Sequence, residues 1–324
     1  MGDDKMDTTQ NKILVAIDGS DQSLDAVRYL SRGILSSDRE VTLFHVQRRI
    51  DEAFWEVGLS KAYAQRLAHI AAWETQQEKA VKEFLDAARQ ILLDAGFPPK
   101  KVHMNIHPVK TGVARDLIQE SIKGYCAVVV GRRGLSKVKD IVLGSIAYKL
   151  IEKIQDTPVW VVGGTPSTRK VLLALDASEG AMKGVDHVGA VLARSDCEVQ
   201  LLHVIREVHP YSWLYGGEEI IHPKLNKGEE AKWWDHVRAE MEPVLDNAKH
   251  RLMNAGFDAK RVTTQFITGV SSRAGAIVEQ AQVGGYGTIV VGRRGLSKVQ
   301  EFLMGRVSNK VLHLAQDKAV WIVD

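Results

Sequence analysis

The chain repeats itself, and that repeat limits what it can fold into more than any other feature. ILVAIDGS at residues 13–20 returns as LLALDAS at 172–178. TLFHV, ending at Val46, returns as QLLHV, ending at Val204. DAGF at 94–97 returns as NAGF at 254–257, and TGV at 111–113 returns at 268–270. VVVGRRGLSKV at 128–138 returns as IVVGRRGLSKV at 289–299, and PVWVV near Trp160 returns as AVWIV near Trp321. The offset runs from 157 residues (Thr111 to Thr268) to 161 (Gly131 to Gly292). A period this long is a whole domain and not a solenoid turn. The chain therefore divides into residues 10–163 and 169–324, joined at GGTPST, residues 163–168.

Each half alternates short apolar runs with amphipathic ones. In the first, residues 12–17, 41–46, 102–108, 127–130 and 159–162 read as strands. Helices read between them: one from Ser20 carrying Leu24, Val27, Leu30 and Ile34, and one ending at Gly96 with Val81, Phe84, Leu85, Ala88 and Leu92 as its apolar stripe. Two more cover 113–123, with Leu117 and Ile118 inward, and 145–154. Strands that alternate with helices imply an α/β fold with a doubly wound parallel sheet. Ligands then bind beyond the carboxyl ends of the strands, where strand order reverses. Asp18 and Gly131 fall at two such tips.

The loop after the fourth strand carries the chemistry. It reads Gly131, two residues, Gly134, nine residues, Gly144, Ser145. Glycines allow close approach to a pyrophosphate and positive φ, helix N-terminal amides attract phosphate oxygens, and Ser145 adds a hydroxyl. A plain glycine-rich turn is the alternative reading. The strand-to-helix setting and the second copy favour a phosphate site.

With VAIDGS, LFHV and GxxGx9GS in place, the chain resembles the universal stress protein family in its tandem two-domain form, over nearly its whole length. The resemblance implies a five-stranded parallel sheet in each domain, order 3-2-1-4-5, flanked by helices. It implies an adenine nucleotide as ligand (ATP, or AMP or ADP), with Mg²⁺ held through the phosphates. By position, Asp18 would face the ribose or adenine, and Ala16, Val46 and Val130 would line the base pocket. Gly131, Gly134, Gly144 and Ser145 would hold the phosphates. Ala147 stands where the family often has a further hydroxyl. In the second half Ala174, Asp176, Val204, Val291, Gly292, Gly295 and Gly305 keep the pattern. Arg306 replaces the serine, while Ser308 restores the later hydroxyl. The two sites are thus expected to be unequally occupied, with the first the more ordinary. The family's members pair through their last strands, so an intrachain pseudo-dimer and a homodimer are expected.

Other features have plainer readings. Arg132, Arg133 and Lys137, repeated as Arg293, Arg294 and Lys298, could neutralise phosphates, but a solvated face is the commoner outcome for such charges and is expected. His45 and His203 read as satisfied histidines, not metal ligands. The stretches after the second strand hold Phe54, Trp55 and Trp73, then Tyr211, Trp213, Tyr215, Trp233 and Trp234, read as a helical hairpin or loop. A net charge of +3 argues against nucleic acid or membrane as the main partner. Two distant cysteines, Cys126 and Cys197, and a polar N-terminus suit a cytoplasmic protein. No Walker lysine, acid pair or catalytic triad can be assembled, so catalysis beyond slow ATP hydrolysis is not expected. A dimerising module without nucleotide is the competing reading.

Overall fold

A computed structural model describes residues 11–48, 61–135, 142–166, 169–206, 227–295 and 304–324, with side chains of the two long helices described from 69 and 235 onward. It separates into two compact units, Met1–Thr165 and Pro166–Asp324. Residues 167–168 of the joining segment lie outside the described residues, as do Lys137, Lys298, Phe54, Trp55, Tyr211, Trp213, Tyr215 and the side chains of Trp233 and Trp234.

The first unit runs β1 (Lys12–Ala16), α1 (Asp21–Tyr29), β2 (Glu40–Gln47), α2 (Lys61–Asp94), β3 (Val102–Pro108), α3 (Val113–Ser121), β4 (Ala127–Gly131), α4 (Ser145–Lys153) and β5 (Val159–Val162). Its strands lie in the order β3-β2-β1-β4-β5, all parallel. The second unit runs β6 (Lys170–Ala174), α5 (Glu179–Leu192), β7 (Glu198–Arg206), α6 (Lys227–Asn254), β8 (Val262–Val270), α7 (Arg273–Val283), β9 (Thr288–Gly292), α8 (Arg306–Leu314) and β10 (Ala319–Val323). Its strands repeat the arrangement as β8-β7-β6-β9-β10, again parallel.

The central strands explain themselves. Ile13, Leu14 and Val15 of β1 and Val128 and Val129 of β4 have no exposure, because helices cover both faces of a parallel sheet. β3 lies at the sheet edge, and four consecutive residues of it are exposed. Helix α2 ends as expected: Gly96 takes φ of 91°, and the Phe97 amide donates to Leu92 O at 3.1 Å.

Three expectations change. Helix α1 does not run regularly to Ile34; residues Leu30–Ile34 form a π-type turn, with Gly33 at φ 81°. Leu30 and Ile34 are nonetheless buried as expected, the inner face of α1 itself is Ala26, Val27 and Tyr29, and Leu24 is only half-buried. In α3, Ile118 is half-buried, and the inward positions are Ala114 and Leu117, with Asp116 buried beside them. The segment after β2 is one helix of 34 residues where it is described, not a hairpin, and Trp73 on it is 55% exposed.

Candidate functional site

The sheet brings the sequence-predicted positions to its carboxyl edge. Ala16 pairs in register with Val130 across β1 and β4, and Ala174 pairs with Val291 across β6 and β9. The topological switch point lies between these strands, since β1 is flanked by β2 and β4, and β6 by β7 and β9.

Asp18 sits just past β1 and has two separate jobs for its two oxygens. Oδ1 accepts from the Ser20 amide at 3.0 Å and the Ser20 hydroxyl at 2.6 Å. Ser20 Oγ in turn accepts from the Ser23 amide at 3.2 Å, capping α1. Oδ2 is aimed at the glycine loop, where a Cβ on Gly134 would overlap it. The second unit repeats this: Asp176 Oδ1 accepts from the amide and hydroxyl of Ser178, and Oδ2 lies where a Cβ on Gly295 would be. An acid placed only to favour a helix dipole would not need the second oxygen held against the loop.

The loop glycines are explained by closeness, not by positive φ. None of Gly131, Gly134, Gly144, Gly292, Gly295 and Gly305 is among the positive-φ glycines. A Cβ on Gly131 would instead stand 2.7 Å from Gln22 O, where the start of α1 crosses the end of β4.

The helices that follow the loops begin without a side-chain cap. Gly144 precedes α4 and Gly305 precedes α8, whereas serines cap α1, α5 and α7. Their first amides are donors left for an anion at the place where the glycine loop ends. Ser145 and Arg306, each the first residue of its helix, are both exposed.

In the second unit these parts enclose a cavity of about 480 Å³, within the usual range for ligand pockets. Ala174, Val204 and Val291 supply apolar wall, and Asp176, the three glycines, Arg306 and Ser308 supply the rest of the predicted set; all line the cavity. Sequence reading missed Arg273, which begins α7 and also lines it. No signal from the repeat could have found it, because the first residue of the matching helix is Val113.

The two units differ in detail at the loop. Gln22 Oε1 accepts from the Arg133 amide at 2.6 Å in the first unit. Gly180 holds the corresponding place in the second, so no described side chain takes the Arg294 amide. Ser308 is 7% exposed, and its hydroxyl donates to Gly292 O at 2.6 Å. Its proton is thus directed to the sheet and not to a phosphate. Ala147, buried at the matching place, makes no such bond.

The expected solvated face is not what the arginines form. Arg132 is 2% exposed and Arg293 is 1% exposed. Their amides continue the sheet ladder, donating to Val162 O and Val323 O, which turns their side chains inward. Arg293 Nε lies 3.1 Å from the Asp324 carboxylate, a partner that Gly163 cannot provide for Arg132. Arg294 is exposed at the cavity wall, and Arg133 is half-buried.

Both histidines are satisfied. Nδ1 of His45 donates to Ile17 O at 2.8 Å, and Nδ1 of His203 donates to Leu175 O at 2.7 Å. Burial holds His203 below its usual pKa, and the nearby Arg273 guanidinium lowers it further. Cys126 and Cys197 are free thiols whose pKa burial pushes up, so neither is poised as a nucleophile. Among the described residues no cluster of three or more His, Cys, Asp or Glu could hold a metal, and no helix is long and apolar enough to cross a membrane.

Comparison with known proteins agrees with this architecture. A universal stress protein of Mycolicibacterium smegmatis (strain ATCC 700084 / mc(2)155) is 27% identical over 316 residues, 95% of each chain. Universal stress protein YxiE of Bacillus subtilis (strain 168) is 31% identical over 147 residues, covering 45% of this chain and 93% of that protein. The crystal structure of a universal stress protein from Archaeoglobus fulgidus DSM 4304 shares the fold, with a TM-score of 0.60 at 19% identity, over 97% of this chain and 98% of that one. The model of the Universal stress protein family matches twice, at residues 10–163 and 167–323. With one copy of the fold in each half, the chain belongs to the universal stress protein family.

Proposed function

We propose that this stress protein binds an adenine nucleotide, ATP or its products AMP and ADP, beyond the carboxyl edge of each sheet. The observation that carries the reading is the cavity of the second unit, where an apolar wall, a carboxylate oxygen and an uncapped helix start converge. The apolar wall suits a base, Asp176 Oδ2 suits ribose hydroxyls, and the free amides suit phosphate. For the first unit, the Ala16–Val130 register, the Asp18 oxygen beside Gly134 and the uncapped start of α4 support the same reading for Ala16, Asp18, Val46, Val130, Gly131, Gly134, Gly144 and Ser145.

The bound nucleotide acts as a signal more than as a substrate in this reading. Among the described residues Asp18 and Asp176 are the acids that face the loops, and each has one oxygen committed to a serine. Hydrolysis is therefore slow, without a dedicated base. The cytoplasm as its compartment, and assembly into a dimer, belong to the same proposal.

The test is to purify the full chain, denature it and identify released small molecules by mass spectrometry, then titrate the protein with ATP calorimetrically. An adenine nucleotide in the extract, or ATP binding at one or two sites per chain, is the expected outcome. An empty extract with no heat of binding would leave the dimerising module as the better account, and light scattering would then be the measurement to make.

A further inference from the structure

The described lining of the second unit's cavity carries more positive than negative charge. Its described lining includes the guanidinium groups of Arg273, Arg294 and Arg306 against the single carboxylate of Asp176. His203, also on the wall, is held toward its neutral form. At the matching positions the first unit has Val113, Arg133 and Ser145 against Asp18, one cation against one anion. None of the three arginines of the second cavity makes an ion pair with a described residue other than what a ligand would bring, and all three are exposed at the cavity.

This donor set fits a polyphosphate and does not fit a magnesium ion. Mg²⁺ takes oxygen ligands in near-octahedral geometry, ordinarily one or two carboxylates together with phosphates and waters. The one carboxylate here already accepts two hydrogen bonds from Ser178 through Oδ1. A dication would also sit among three fixed positive charges. Guanidinium groups can instead neutralise phosphate oxygens directly, often with two parallel hydrogen bonds. The Arg294 amide, which no Gln22 equivalent occupies, adds a further donor on the loop.

Building on the nucleotide-binding reading above, we infer that the second unit binds its nucleoside polyphosphate as the metal-free anion, with Arg273, Arg294 and Arg306 in place of Mg²⁺.

The experiment is to titrate the full chain with ATP in excess EDTA and again in excess Mg²⁺, for the wild type and for Arg273→Val with Arg306→Ser. These exposed positions then carry the first unit's residues, and circular dichroism checks that the fold is kept. Wild type should bind one ATP in EDTA, and that site should not be tightened by Mg²⁺. The double variant should bind ATP in EDTA about tenfold to a hundredfold more weakly, from loss of charge-assisted contacts, with Mg²⁺ restoring much of the loss. If EDTA abolishes all wild-type binding and Mg²⁺ restores it, the metal-free inference is overturned and the nucleotide reading stands. If the variant matches wild type in EDTA, the arginines are not the cause and the inference falls. No binding in either buffer would remove the nucleotide reading itself.

Discussion

The carboxylate of Asp18 occupies the space that a side chain at position 134 would need, and Asp176 does the same to Gly295. The acid after the first strand and the glycine in the loop after the fourth are thus a single packed unit, made twice. Substituting Gly134 with alanine should force the carboxylate aside and destabilise the first unit by about 1–3 kcal/mol, the usual overpacking range. In an Asp18→Ala background the same change should cost much less. Urea melts of the four proteins in a double-mutant cycle measure the coupling, and additive effects would deny the contact.

Asp116 is the buried acid on which the β3–α3 turn is built. Its carboxylate accepts from the Lys110 amide at 2.8 Å, the Thr111 amide at 3.1 Å and the Thr111 hydroxyl at 2.7 Å. Burial alone would raise its pKa, but these donors outweigh it and bring the value down to about 2. A depressed folded pKa means stability that is present above the ordinary value of 3.8 and is lost as pH falls toward about 2. Asp116→Asn should cost about 1–3 kcal/mol at neutral pH and flatten that acid limb. Thermal melts from about pH 6 down to about 2 would show it.

His203 gives a separate dependence at milder pH. Its folded pKa lies below the usual 6.5, so the unfolded chain takes up the proton first. Stability of the second unit should fall as pH drops below the ordinary histidine value, and His203→Gln should remove that part of the slope. Hydrogen exchange resolved by unit is the suitable measurement.

Ser308 ties the first turn of α8 to the end of β9 through Gly292 O. Ser308→Ala should cost roughly 0.5–1.5 kcal/mol, the net worth of one hydrogen bond, and should leave ATP affinity nearly unchanged if the hydroxyl serves the sheet. A tenfold loss of affinity with unaltered stability would instead assign that hydroxyl to the phosphates.

The fold was legible because its signals are local and doubled. Residues 127–130 could only be a buried strand, Gly96 only a helix end, and the repeat multiplied each argument by two. The site's outline was legible for the same reason, since a glycine loop between an apolar strand and a helix has few uses. What misled was composition used in place of position. GRRG reads as surface, yet Arg132 and Arg293 follow the strand in register and so point inward. Helix α1 looked regular by its periodicity, but Gly33 lets its last turn open.

By itself, then, the sequence determined the two units, their parallel sheets and the elements on which a ligand would rest, because strand and helix periods and glycine positions are written along the chain. Tertiary structure decided how those positions act. It aimed one oxygen of Asp18 and of Asp176 at a glycine that could have carried no side chain. It gave Gln22 the Arg133 amide and turned the Ser308 hydroxyl to the sheet. It also brought Arg273, outside both glycine motifs, to the wall of the second cavity. Those relations depend on distance and direction across strands, which no repeat along a line of letters records.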